Sequence, residues 1–157
     1  MQNIRLEKEI QESKEEDWLV FRETYKIKIF MEIQLYEPLQ KICEKNELVP
    51  ILKMEFNRYY PFQPPEVSFN SHNLKDIYKF SILDNYKEIY NDKCFCCSTI
   101  ICSHNWGPMK NIKDIISEFK KFTQLKYRLV ERLYCKKVQM KYLPQIPINY
   151  FSIHNYL

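Results

Sequence analysis

Glycine occurs once in this chain of 157 residues, at position 107, while Lys, Ile, Asn, Tyr and Phe are plentiful. That balance reads as an A- and T-rich coding composition and carries no functional weight. The chain also lacks a charged-then-apolar leader and any apolar run near the ~18 residues of a spanning helix, so neither export nor membrane anchoring is expected. No internal repeat, low-complexity tract or linker interrupts it, and residues 1–157 are expected to form one domain. A hydrophobic content of 45% suits a core that holds without covalent staples.

Charge is uneven. From Met109 onward ten Lys and Arg face three Asp and Glu, which leaves the first 108 residues with a net charge of −3. The bases alternate with apolar residues at helical spacing, and no aromatic-basic module is present, so a solvated helix face is expected rather than a nucleic-acid site. Six cysteines, Cys43, Cys94, Cys96, Cys97, Cys102 and Cys135, in a chain with no leader imply reduced thiols in cytosol or nucleus.

Periodicity gives the elements. An amphipathic helix is predicted from Ile4 to about Glu16, with Ile4, Leu6 and Ile10 apolar. Period two then sets Tyr25, Ile27, Ile29, Met31, Ile33 and Leu35 on one face of a long strand. Leu52, Met54 and Phe56 mark the next strand and Val67 and Phe69 another, an antiparallel meander. Between Leu74 and Tyr90 a loop with a short helix is expected. Ile112, Ile115, Ile116, Phe119 and Phe122 form a helical stripe, and Leu129, Val130 and Leu133 continue it in a second helix. Pro144 and Pro147 end regular helix, and the tail from Asn149 to Leu157 is apolar enough to pack on the body.

Cys43 and Cys135 stand alone and are expected to be small buried hydrophobes. Four cysteines within nine residues, Cys94 to Cys102, have no such explanation, because burial gives no reason to cluster thiols. Cys94 and Cys97 have the spacing of a zinc knuckle that Cys102 and His104 would complete, although the second pair is tighter than usual. A Cys-x-x-Cys redox site is disfavoured, since the βαβ pattern that hosts it is missing.

The run Tyr60-Pro61-Phe62-Gln63-Pro64-Pro65-Glu66-Val67-Ser68-Phe69 carries three prolines in five residues, which exclude helix and imply an extended stretch and a rigid turn leading into an edge or meander strand. Downstream come the cysteine cluster and Trp106-Gly107-Pro108. Together these segments resemble the core of the ubiquitin-conjugating enzyme (E2) family, which carries Tyr-Pro-Phe-x-Pro-Pro-x-Val-x-Phe, an active cysteine, then Trp-Ser-Pro. The motif similarity covers roughly residues 50–120.

The resemblance implies an α+β fold of the E2 type: an N-terminal helix, a four-stranded antiparallel meander, an active-site loop and C-terminal helices. It also implies a cysteine that accepts ubiquitin, or a ubiquitin-like protein, as a thioester from an activating enzyme and passes it to a lysine. The family runs Cys-Leu-Asp-Ile-Leu, three residues, then Trp-Ser-Pro. Cys97-Ser98-Thr99-Ile100-Ile101 followed by four residues matches with one insertion, which makes Cys97 the implied acceptor, Cys94 the next and Cys96 the third. Ser98 would align without a gap, but an oxyester leaves far more slowly.

The family's His-Pro-Asn, whose asparagine supports the oxyanion, is absent: eight residues before Cys97 stands Ile89. His72-Asn73 resembles a remnant of it, and Asn85 and Asn91 lie nearer in sequence. That absence motivates two alternatives, a non-catalytic E2-like module that binds ubiquitin and ligases, and a zinc-stabilised interaction domain. The resemblance further implies ligase docking through Phe62, Pro108 and Met109, with burial of Phe62 in the core as the alternative. It implies activating-enzyme contacts through Arg5 and Lys8, or else ordinary helix surface there. Trp106 reads as a structural brace for the active-site loop. A monomer without cofactor, metal, membrane or nucleic-acid partner is expected.

Overall fold

The computed structural model describes residues 3–13, 18–78 and 99–139. In chain order these form α1 (Ile4–Ser13), β1 (Leu19–Arg22), β2 (Lys26–Glu32), α2 (Glu37–Lys45), β3 (Ile51–Asn57), β4 (Glu66–Phe69), β5 (His72–Asn73), α3 (Leu74–Tyr78) and the long helix α4 (Ile112–Gln139). The five strands make one antiparallel sheet in sequence order. The chain is therefore mixed α+β, as expected, with five strands among the described residues where four were predicted.

The register follows from the period-two pattern. Ile27, Ile29 and Met31 lie opposite Phe56, Met54 and Leu52, and Met54 and Leu52 lie opposite Val67 and Phe69. Opposed apolar side chains on one face are the unit of sheet stabilisation. Onto that face pack Leu6 and Ile10 of α1 and Ile112, Ile115, Phe119 and Phe122 of α4, so a sheet covered by two helices is the core. The apolar stripe of α4 sits where its spacing puts it, but the helix runs unbroken to Gln139 where two helices were expected.

Three elements escape the sequence reading. β1 is a mostly exposed strand with no alternation. The amphipathic α2 interrupts the meander: Pro38 sits in its first turn, Leu39 and Cys43 are buried, and Glu47 takes φ 53° just past its end. The buried Cys43 matches its expected role as a small hydrophobe. The third is β5, reached through Asn70 and Ser71, both at positive φ as a two-residue hairpin turn requires.

Consequently His72-Asn73 lies at the edge of the sheet among the described residues, and Asn73 Oδ1 accepts the Lys75 N–H at 2.9 Å to start α3. Residues 79–98 and 140–157 lie outside the described residues, as do 14–17, where the predicted first helix was to end. No helix among the described residues is long and apolar enough to cross a membrane.

Lys126 of α4 is buried, which pulls its pKa down to about 8. Between about pH 8 and the ordinary lysine value the unfolded chain holds more protons at this position than the folded one. Lys126 is therefore expected to contribute stability that rises with pH over that interval, read as the difference between wild type and Lys126→Met in urea unfolding at pH 8 and pH 9.5. The buried Cys43 thiol, also held above its ordinary range, opposes that rise within the interval, and the buried phenols of Tyr60 and Tyr78 do so from about pH 10 upward. A stability difference that is the same at the two pH values would show that Lys126 keeps its ordinary proton affinity when folded.

Candidate functional site

The segment between β3 and β4 expected to run extended instead turns twice before straightening at Pro64. Asn57 organises it: Oδ1 accepts the Tyr59 N–H at 2.8 Å, and its carbonyl accepts the Tyr60 N–H at 3.2 Å. The Tyr59 carbonyl then takes the N–H groups of Phe62 and Gln63 at 2.8 and 3.1 Å. Proline's fixed φ serves a turn as well as an extended strand, and local acceptors decide which. The Tyr60–Pro61 peptide is cis.

Tyr60 is buried, with its ring edge-on to Phe56 at 4.9 Å and beside Trp106 at 5.9 Å. Phe62 points outward at 78% exposure, which removes it from the core. Beside it a groove of about 840 Å³ is walled by Ile4, Tyr25, Tyr59 and Phe62.

The second loop is a cross-braced turn. The Thr99 carbonyl accepts the Cys102 N–H at 3.2 Å and Asn105 Nδ2 at 3.1 Å, and the Cys102 carbonyl accepts the N–H groups of Asn105 and Trp106. Trp106 then donates Nε1–H to the Pro61 carbonyl at 2.7 Å, which ties the two motif-bearing loops together. Past it, Pro108 and Met109 are exposed, Met109 at 88%. A Cβ added to Gly107 would meet nothing within 4 Å, and the residue lacks a positive φ, so neither space nor backbone demands glycine there.

Helix α1 seats both loops through Arg5 and through two residues, Asn3 and Glu9, that no sequence pattern singled out. Asn3 caps α1 by accepting the Leu6 N–H at 3.1 Å while donating to the Tyr60 carbonyl at 2.6 Å. Glu9 accepts the Tyr60 hydroxyl at 2.5 Å, Arg5 Nε at 2.7 Å and the Ile112 N–H at 3.3 Å. Arg5 also donates to the Lys110 carbonyl at 3.0 Å. Its guanidinium is thus engaged in bracing the second loop, whereas Lys8 stands exposed beside Glu12 at 3.6 Å. In sequence, Glu9 is merely one charge on the polar face of an amphipathic helix.

A further carboxylate, Glu118 of α4, faces the Ile100 N–H with both oxygens, at 2.9 and 3.1 Å. Burial raises its pKa above the ordinary carboxylate value, while the Ile100 N–H and the Lys110 ammonium pull it partly back. Cys94, Cys96, Cys97 and Ser98 lie outside the described residues, with Ile89, Asn85 and Asn91. Cys102 is partly exposed, and its Sγ lies 3.8 Å from His104 Nδ1. Among the described residues no three His, Cys, Asp or Glu gather closely enough to hold a metal ion.

No family model, curated protein or solved structure matches the chain.

Proposed function

We propose that the protein is a divergent ubiquitin-conjugating enzyme of the E2 fold, carrying ubiquitin or a ubiquitin-like protein as a thioester on Cys97. The observation that carries this reading is the hydrogen bond from Trp106 to the Pro61 carbonyl. It joins the two segments that resemble the family's motifs, which stand 45 residues apart in sequence, and leaves Phe62, Pro108 and Met109 outward. Exposed apolar side chains on neighbouring loops suit a ligase-docking surface. Asn3, Arg5 and Glu9 hold those loops against α1, so the surface is preorganised.

In the proposed reaction the Cys97 thiolate attacks the carbonyl carbon of the modifier's thioester on the activating enzyme. A new C–S bond forms, the tetrahedral oxyanion collapses, and the activating enzyme's thiolate leaves. A substrate lysine, losing its proton, then attacks the same carbon; a C–N bond forms and the Cys97 thiolate is released. Both steps pass through an oxyanion that hydrogen-bond donors stabilise, a contribution worth ~10²–10³ in rate where one donor is removed.

The test is thioester charging: purified protein with activating enzyme, ATP and ubiquitin, resolved with and without reductant. A thiol-sensitive adduct is expected in the wild type, in Cys94→Ala and in Cys96→Ala, and none in Cys97→Ala. Affinity for ubiquitin or ligases without any adduct would overturn the enzymatic reading in favour of the binding module.

One observation favours a second reading, the zinc-stabilised interaction domain. Two ligands of a tetrahedral zinc, sulfur at about 2.3 Å and nitrogen at about 2.0 Å, stand about 3.6 Å apart. Cys102 Sγ and His104 Nδ1 stand at 3.8 Å. Stoichiometric zinc in the purified chain, with unfolding by chelator, would select this reading.

A further inference from the structure

Among the described residues, Glu118 spends a half-buried carboxylate on one backbone N–H. Desolvating a carboxylate is costly unless it is well hydrogen-bonded, and both of its oxygens converge on Ile100. What it holds is the beginning of the cross-braced turn. Thr99 beside it is buried, and its carbonyl receives Cys102 and Asn105. Hydrogen bonds attach that turn to the body at both ends, Trp106 to the Pro61 carbonyl and Ile100 to Glu118, while Ile101 within it is buried in the core. The cysteine cluster precedes it directly, with Cys97 three residues before Ile100 in sequence. Three residues reach at most about 10 Å, so fixing Ile100 limits where the chain before it can go.

We propose that Glu118 is a positioning residue for the thioester reaction: its carboxylate anchors the chain after the cysteine cluster, and its protonation loosens that anchor. The reaction part rests on the function proposed above; the anchoring does not. A carboxylate accepts a hydrogen bond about twice as strongly as a neutral acid, so protonation weakens the bond to Ile100. Because burial raises the Glu118 pKa, the loosening begins at a higher pH than an exposed glutamate would give. Among the described residues, the groups that face it are the Lys110 ammonium from the segment before α4 and the Tyr78 hydroxyl of α3, which is buried and has no hydrogen-bond partner among them. On α4 itself Asp114 and Lys121 stand one turn away on either side.

Global stability runs in the opposite sense. A carboxyl whose folded pKa is raised binds its proton more readily in the folded state, so falling pH through that window stabilises the fold while it loosens the turn. The two effects are therefore separable in one experiment: residue-resolved amide hydrogen exchange on the full chain from pH 5 to pH 8, for wild type, Glu118→Gln and Glu118→Leu. A charging assay on the same samples completes it.

In the wild type, protection of the Ile100 amide is expected to fall with pH while that of Phe119 in the core holds. Glu118→Leu should lose about tenfold to hundredfold of Ile100 protection at pH 8, the range of one hydrogen bond to a charged group, with a smaller loss at pH 5, and should charge about tenfold more slowly at pH 8. Glu118→Gln should keep partial protection and lose its pH dependence, and it decides the matter if the leucine variant does not fold. Ile100 exchange unchanged in both variants overturns the inference. Lost protection with a normal charging rate overturns the positioning role, and lost protection in a chain that never charges overturns the proposed reaction while leaving the anchor standing.

Discussion

Replacing Glu9 by Ala is expected to destabilise the protein by about 3–5 kcal/mol, since it removes a carboxylate shared by three donors and a hydrogen bond to a charged group is worth about 1.5–3 kcal/mol. The Glu9 side chain is 12% exposed and serves three donors at once: the Tyr60 hydroxyl, Arg5 Nε and the Ile112 N–H. The Tyr60 phenol is the costly survivor. It is buried against Phe56 and Trp106, and an unsatisfied buried hydroxyl forfeits about 1–3 kcal/mol. For a chain of this size the loss corresponds to a melting temperature about 6–20 °C lower.

Glu9→Gln, which keeps an acceptor, should fall by clearly less. In a double-mutant cycle Glu9→Ala and Tyr60→Phe should be less than additive, since the second change removes the orphaned hydroxyl. Strict additivity would show that the Tyr60 hydroxyl does not depend on Glu9. The same variant bears on function, because Glu9, Asn3 and Arg5 are what hold the proline loop and the Lys110 segment to one helix.

Phe119→Ala should cost about as much through a different mechanism. Phe119 is fully buried between α4 and the sheet, with its ring 5.0 Å from that of Phe69. Truncating such a residue removes its transfer free energy and leaves a cavity, about 3–5 kcal/mol together, against a total stability on the order of 5–15 kcal/mol. Urea unfolding should show the midpoint displaced with its slope unchanged. Phe62→Ala is the internal control. At 78% exposure, that ring should change stability by no more than about 0.5 kcal/mol, and any effect on ligase-dependent transfer would then belong to docking rather than folding. A Phe119→Ala midpoint within error of the wild type would mean that the sheet and α4 close over the gap.

Where one face of an element is buried, the burial imprints its period on the residues, and β2, β3, β4 and the first half of α4 were legible for that reason. β1 was not, because a mostly exposed strand has no alternation to show. Nor was β5, whose two residues depend on Asn70 and Ser71 adopting positive φ rather than on any hydrophobic signal. The proline run told where regular helix could not be but not whether the chain would run straight or turn, since the deciding acceptor was Asn57.

The sequence by itself thus determined the class of the fold, the apolar face of each long element and the two motifs on which a thioester function is proposed. These depend on local periodicity and on residue types. Only the tertiary structure decided that Phe62 faces outward, that Arg5 braces Lys110, that Glu9 joins Tyr60 to Ile112 and that Glu118 holds Ile100. Those contacts span 18 to 105 residues of chain, and a charged side chain reads alike in sequence whether it meets water or a buried partner. Its partner is chosen by where the hydrophobic packing brings the backbone, and no local pattern records that choice.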